Sequence, residues 1–159
     1  MNMMHTIFAL VLLVSPLFHS HAAEVNKTLV LVKSRTVLFA QPEYRGTSKL
    51  QVFDDGSFEW VDNKNRVTEI GNLSKGMISK LIQKSEVITQ ENLRIPNPDA
   101  PRCADAPIEK TIVYNLKNST SGVTIWKRED CLSYEPNQSE AMELTQVIRG
   151  LELTYSGLK

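Results

Sequence analysis

Carboxylates are the residues of this chain best supplied for acid and base chemistry, because its three histidines, His5, His19 and His21, all precede residue 24. Beyond that point there is no imidazole, so the commonest general base, the usual activator of serine and cysteine nucleophiles and the commonest metal ligand are missing. Asp54, Asp55, Glu59, Asp99, Asp105, Glu129 and Asp130 could in pairs perform glycosidase-type acid and base work, which needs two carboxyl groups roughly 5 to 9 Å apart across a cleft. Their settings favour plainer roles. Asp54-Asp55 precedes Gly56 in a turn, and Glu129-Asp130 borders a strand end, where acidic residues serve the backbone or simply solvate it. Asp62, Asn63 and Asn65, or Asp54 and Asp55, offer oxygens to calcium but lack the ligand series of a calcium loop. No Gly-x-Ser-x-Gly, phosphate-binding loop or dinucleotide fingerprint is present. The expectation is no catalytic residue, no metal and no cofactor, with a small carboxylate-dependent hydrolase as an alternative.

Recognition chemistry is better represented. Tyr44, Phe58, Trp60, Tyr114, Trp126 and Tyr134 could stack on sugars or bases, although aromatic residues in strands more often fill a core. Residues 91–107 contain Pro96, Pro98, Pro101 and Pro107, and proline fixes its backbone enough to make a long loop a recognition surface rather than a loose linker. Arg94, Pro101, Arg102 and Asp105 are the binding residues expected from it. An extended Arg94-Ile95-Pro96 or Pro101-Arg102-Cys103-Ala104 would suit the cleft of a trypsin-like enzyme, so a peptidase inhibitor is a second alternative.

Residues 1–23 read as a secretory signal: an apolar run from Ile7 to Val14, then small residues at Ser20, Ala22 and Ala23. The run is short for a membrane span and no second one follows, so no membrane insertion is expected after cleavage. One domain over 24–159 remains. The sequons at Asn26, Asn72, Asn118 and Asn137 and the absence of Lys and Arg before Ile7 point to eukaryotic secretion, with the bacterial periplasm as the alternative. In either oxidising compartment Cys103 and Cys131, the only cysteines, are expected to pair. Basic and acidic residues balance at 18 each, which gives no general drive toward nucleic acid. The expected function is that of a secreted, non-catalytic binding or structural protein, and the expected partner is an extracellular or envelope protein or a polysaccharide.

These side chains need a scaffold, and the pattern supplies one. Apolar, β-branched segments at Thr28–Lys33 and Thr36–Ala40 (two strands, or one long strand with an irregularity), Lys49–Phe53, Ser57–Val61, Lys110–Lys117 and Gly122–Arg128, with a weaker one at Arg66–Ile70, predict strands. Asp55-Gly56 predicts a hairpin. Met77, Ile78, Leu81 and Ile82 after Ser74, and Ala141, Leu144, Val147, Ile148 and Leu151 after Asn137, recur at helical spacing and predict two amphipathic helices, the second opened by an Asn137/Glu140 capping box. The expected fold is α+β: an antiparallel sheet of about four to six strands with two helices on one face and one disulfide.

Gly71-Asn72-Leu73-Ser74 before the first helix, with Cys103-Ala104-Asp105-Ala106-Pro107 before the later hairpin, resembles small exported bacterial domains of unknown function that share a Gly-x-Leu-Ser helix start and a Cys-x-Asp-x-Pro loop. The likeness spans roughly Lys49 to Leu151. It implies export and a similar fold, and assigns no activity or site residue.

Overall fold

The computed structural model describes residues 26–117 and 121–156; the expected signal segment and Asn118 lie outside them. Eight antiparallel strands form one sheet: β1 (Leu29–Val37), β2 (Gly46–Phe53), β3 (Ser57–Val61), β4 (Val67–Asn72), β5 (Leu93–Arg94), β6 (Ile108–Val113), β7 (Val123–Glu129) and β8 (Leu132–Pro136), in the spatial order β4-β3-β2-β1-β6-β7-β8-β5. Helices α1 (Lys75–Glu86) and α2 (Ser139–Ser156) follow β4 and β8. The α+β expectation holds, but the strand count exceeds four to six. The additional strands are β8, whose Leu-Ser-Tyr-Glu-Pro lacks a β-branched pattern, and the two-residue β5, which pairs with it. The segments on either side of Ser34 form one long strand, β1, the second of the two readings their pattern allows.

One core cluster joins Val30, Leu31, Leu50, Val52, Phe58, Val113 and Ile125 of the sheet to Ile78, Leu81 and Ile88 around α1 and to Ala141, Leu144 and Ile148 of α2. Burying each such side chain contributes about 1.5–3 kcal/mol relative to exposure. Irregularities in the ladders enrich this face. Pairing of β1 with β2 shifts between Leu29 and Leu31, and that of β6 with β7 shifts between Thr111 and Ile112. A bulge lets two successive residues face the same way, so Val30 with Leu31, and Ile125 with Trp126, are buried as neighbours.

Local signals explain most ends. Gly56 takes φ +90° in the β2–β3 turn. A Cβ there would lie 3.0 Å from the Leu73 carbonyl oxygen. Ser74 caps α1, its hydroxyl accepting from the Met77 amide at 3.3 Å. Met77 itself is exposed rather than in the core, because the stripe that faces inward runs through Ile78, Leu81 and Ser85. The expected capping box of α2 does not form: the Asn137 side chain instead donates to Asn92 at 2.8 Å, and Glu140 accepts from Ser139 at 3.0 Å. Cys103 and Cys131 are bonded, with Cα atoms 5.6 Å apart, so the proline-rich loop is fastened to the β7–β8 turn. No helix among the described residues is long and apolar enough to cross a membrane.

Candidate functional site

The proline-rich loop does not gather its expected binding residues into a site. Arg94 lies exposed on β5, with its backbone opposite Glu135. Pro101 and Arg102 are exposed between a turn closed by the Ala100 amide on the Asn97 carbonyl, 3.3 Å, and a second turn containing Asp105. Asp105 has φ 66°. None of the four lines the groove described below, although Pro107 at the loop's end does.

Two of the acidic candidates serve the backbone and two pair with lysines. Asp54 accepts from the Thr28 amide at 2.9 Å, and Asp55 accepts from the Ser57 amide at 2.9 Å and hydroxyl at 2.6 Å. Those Ser57 bonds, the hydroxyl first, hold the Asp55 carboxyl below its ordinary pKa against the opposing effect of burial, with the Lys27 charge helping. Glu59 pairs with Lys27 at 3.2 Å and Glu129 with Lys127 at 3.7 Å. Among the described residues no group of three His, Cys, Asp or Glu side chains could hold a metal ion.

A groove of about 430 Å³ opens instead at the far end of β1, β2 and β3, lined by Arg35, Val37, Tyr44, Gly46, Ser48, Trp60, Asp62, Asn63 and Pro107. Strand alternation builds it. Leu31, Lys33 and Arg35 of β1 stand opposite Val52, Leu50 and Ser48 of β2, and Leu50 and Val52 stand opposite Trp60 and Phe58 of β3. Residues in such rows share one face of the sheet. At the inner end the row is apolar and belongs to the core; at the outer end it becomes Arg35, Ser48 and Trp60, and the groove begins.

Two loops wall this floor. Tyr44 ends a single 3₁₀ turn, Pro42–Tyr44, and is 65% exposed. The turn is held by the Tyr44 amide on the Gln41 carbonyl (2.9 Å) and by Arg45 Nε on the Ala40 carbonyl (2.7 Å). From the β3–β4 turn, Asn63 Nδ2 donates to the carbonyls of Glu43 (2.9 Å) and Arg45 (3.1 Å). Gly46 between them has φ +119°, and a Cβ there would come within 3.1 Å of the Asn63 carbonyl oxygen. Asp62 accepts from the amides of Lys64 (2.8 Å) and Arg66 (2.9 Å) and from Arg66 Nε (2.6 Å). The Arg66 amide is the main cause of a carboxyl pKa below the ordinary value. Asp62 is charged but engaged by its own turn.

Arg35 brings a cation to the groove. Its Nε lies 3.7 Å from Glu109, whose other oxygen is 3.8 Å from Lys33 Nζ. Lys33 also pairs with Glu152 of α2 and lies 5.7 Å from the Trp126 ring. Arg149 covers that ring at 4.9 Å, and the Trp126 indole donates to Glu135 at 3.2 Å. A chain of charges therefore runs from the groove beneath α2. Glu109 is shared between two cations, and the Arg35 side chain is 56% exposed.

The sequence offers Tyr44 and Trp60 only among six aromatic candidates and Asp62 and Asn63 only with Asn65 in a calcium reading, and its motifs do not single out Arg35, Ser48 or Val37. A readable signal existed: Lys33 and Arg35 alternate in phase with Leu31, which puts charge on the strand face that buries leucine. No protein-family model, curated protein or solved structure matches this chain.

Proposed function

We propose that the chain is an exported, non-catalytic binding protein that presents the Arg35–Tyr44–Trp60 groove to a partner outside the cytoplasm. The observation that carries this reading is the built wall: an exposed tyrosine on a turn fixed by two hydrogen bonds from Asn63. Holding a ring in place before contact reduces the ordering cost of binding. Conformity with a secreted or periplasmic setting comes from the disulfide.

The test is retention of the protein on the surface or matrix of the cells that export it. Tyr44→Ala should lower the retained fraction severalfold with the unfolding midpoint unchanged, while Arg102→Ala should retain like wild type. Equal retention of Tyr44→Ala and wild type would overturn the reading. The intact mass of the exported protein tests the export itself: loss of residues 1–23, with glycan mass on Asn26, Asn72, Asn118 or Asn137, marks eukaryotic secretion, and a bare cleaved chain marks a periplasmic setting. An uncleaved chain would count against export.

A further inference from the structure

We infer that the groove takes a carboxylate-bearing saccharide, a segment of an acidic polysaccharide, with the sugar ring against Tyr44 and Trp60 and its carboxylate on Arg35. This rests on the groove being the binding site. The floor offers little backbone. β1 is paired on both sides by β2 and β6, β2 by β1 and β3, and β3 by β2 and β4, while Pro107 in the wall has no amide hydrogen. A peptide laid in a groove normally gains affinity by pairing with a free strand edge, and here only a short one exists, Gly46–Ser48 of β2 beyond its last β3 pair, Lys49↔Val61. Side chains must carry most of the recognition, and those not engaged by their own turn include two aromatic rings, the Ser48 hydroxyl and the Arg35 guanidinium. Ring faces suit the apolar C–H face of a pyranose, and Ser48 suits its hydroxyls.

Charge selects among sugars. Asp62, the acidic residue in the lining, already accepts two amides and Arg66. Arg35 has only half of Glu109 and keeps most of its side chain exposed. A guanidinium in that position matches a planar carboxylate. The cleft between the helices, lined by Lys80, Lys84, Glu140 and Glu143, lacks this bias, because Lys84 and Glu143 satisfy each other at 2.7 Å.

The experiment is calorimetric and NMR titration of the folded, disulfide-bonded protein with tri-galacturonate and with the matching neutral galactose trimer. The acidic trimer should bind and shift the indole N–H of Trp60 while leaving that of Trp126 in place. Arg35→Gln should weaken it about tenfold or more, the size expected for one lost charge-assisted hydrogen bond, and bring its affinity down to that of the neutral trimer. Tyr44→Ala should weaken both trimers. Equal affinity of wild type for the two trimers, an unchanged affinity in Arg35→Gln, or no heat and no shift at millimolar trimer would each overturn the saccharide inference. If the trimer fails while Tyr44→Ala still loses surface retention, the inference falls and the binding reading stands; if retention is also unchanged, both fall.

Discussion

Asn63 contributes more to the groove through its bonds than through its surface. Its amide donates to two carbonyls that flank Tyr44, so Asn63→Ala should cost only about 1 kcal/mol in urea unfolding, because the bonds are exposed, yet weaken ligand binding as much as removing the tyrosine ring. Equal binding by Asn63→Ala and wild type would show that the turn holds itself. At the sheet centre Thr111 is fully buried, and its hydroxyl has no hydrogen-bond partner among the described residues. Thr111→Val keeps the shape and removes that polar group, so it should leave stability unchanged or raise it by about 1 kcal/mol in the same assay. Acid sensitivity belongs to this scale too. Asp55, Asp62 and Glu140 are all held below their ordinary pKa, Asp55 mainly by the Ser57 hydroxyl, Asp62 by the Arg66 amide, Glu140 by its own amide at the start of α2. A depressed carboxyl stabilises the fold above its unfolded value, about 3.9 for Asp, and that stability is lost as pH falls through the folded value. Urea midpoints should therefore be level above about pH 5 and fall below about pH 4, with a shallower fall in Asp55→Asn. The Asp54-Asp55-Gly56 turn was legible in the sequence because its chemistry is local; the role of Asn63 was not, because its partners lie 18 and 20 residues away.

Elements were legible where their own pattern decided them. α1 and β1 to β3 follow from periodicity and turn residues, and the disulfide followed from compartment and cysteine count. β8 escaped because its place is set by its neighbours. It hangs from β7 through a two-residue turn in which Asp130 and Cys131 take φ 51° and 63°, a left-handed pair that tightens a hairpin, and β5 then adds to its other side. The bulges that double the buried residues at Val30 and Ile125 were likewise invisible, since the extra residue in each case is apolar like its neighbours. The site escaped for a related reason: it is assembled from three strands and three loops, whereas the loop that looked functional in one stretch of sequence is occupied with joining β5 to β6. Its fastening has a measurable size. The Cys103–Cys131 bond closes a separation of 28 residues, which by chain entropy is worth about 3–4 kcal/mol. Cys103→Ser with Cys131→Ser should lose about that much in urea unfolding and expose the 95–107 loop to proteolysis. The groove, built from β1 to β3, should still bind; loss of binding in the folded double variant would tie the loop to the site through Pro107.

Seen whole, the molecule is two similar halves sharing one sheet. Each half is a run of antiparallel strands followed by a helix, β1 to β4 with α1 and β6 to β8 with α2, and the halves meet where β1 pairs with β6 from Leu31↔Val113 to Thr36↔Ile108. Neither half has its own closed core: the cluster that contains Leu81 of α1 also contains Leu144 and Ile148 of α2, and both helices cover residues of β1. Splitting the halves would strip the apolar face from each and leave the edges of β1 and β6 unpaired. The groove lies wholly on the first half apart from Pro107, while the linked charges that continue from it, Glu109, Glu135, Arg149 and Glu152, lie with Trp126 on the second. The two halves should therefore unfold together. Each carries one tryptophan, Trp60 on β3 and Trp126 on β7, so the variants Trp126→Phe and Trp60→Phe report on one half apiece. In each variant the urea transition followed by fluorescence should coincide with that followed by far-ultraviolet circular dichroism, as for a single cooperative unit. A fluorescence transition that precedes the dichroism change in one variant and lags it in the other would show that the halves are separate folding units. The shared core would then bind them less tightly than the continuous sheet implies.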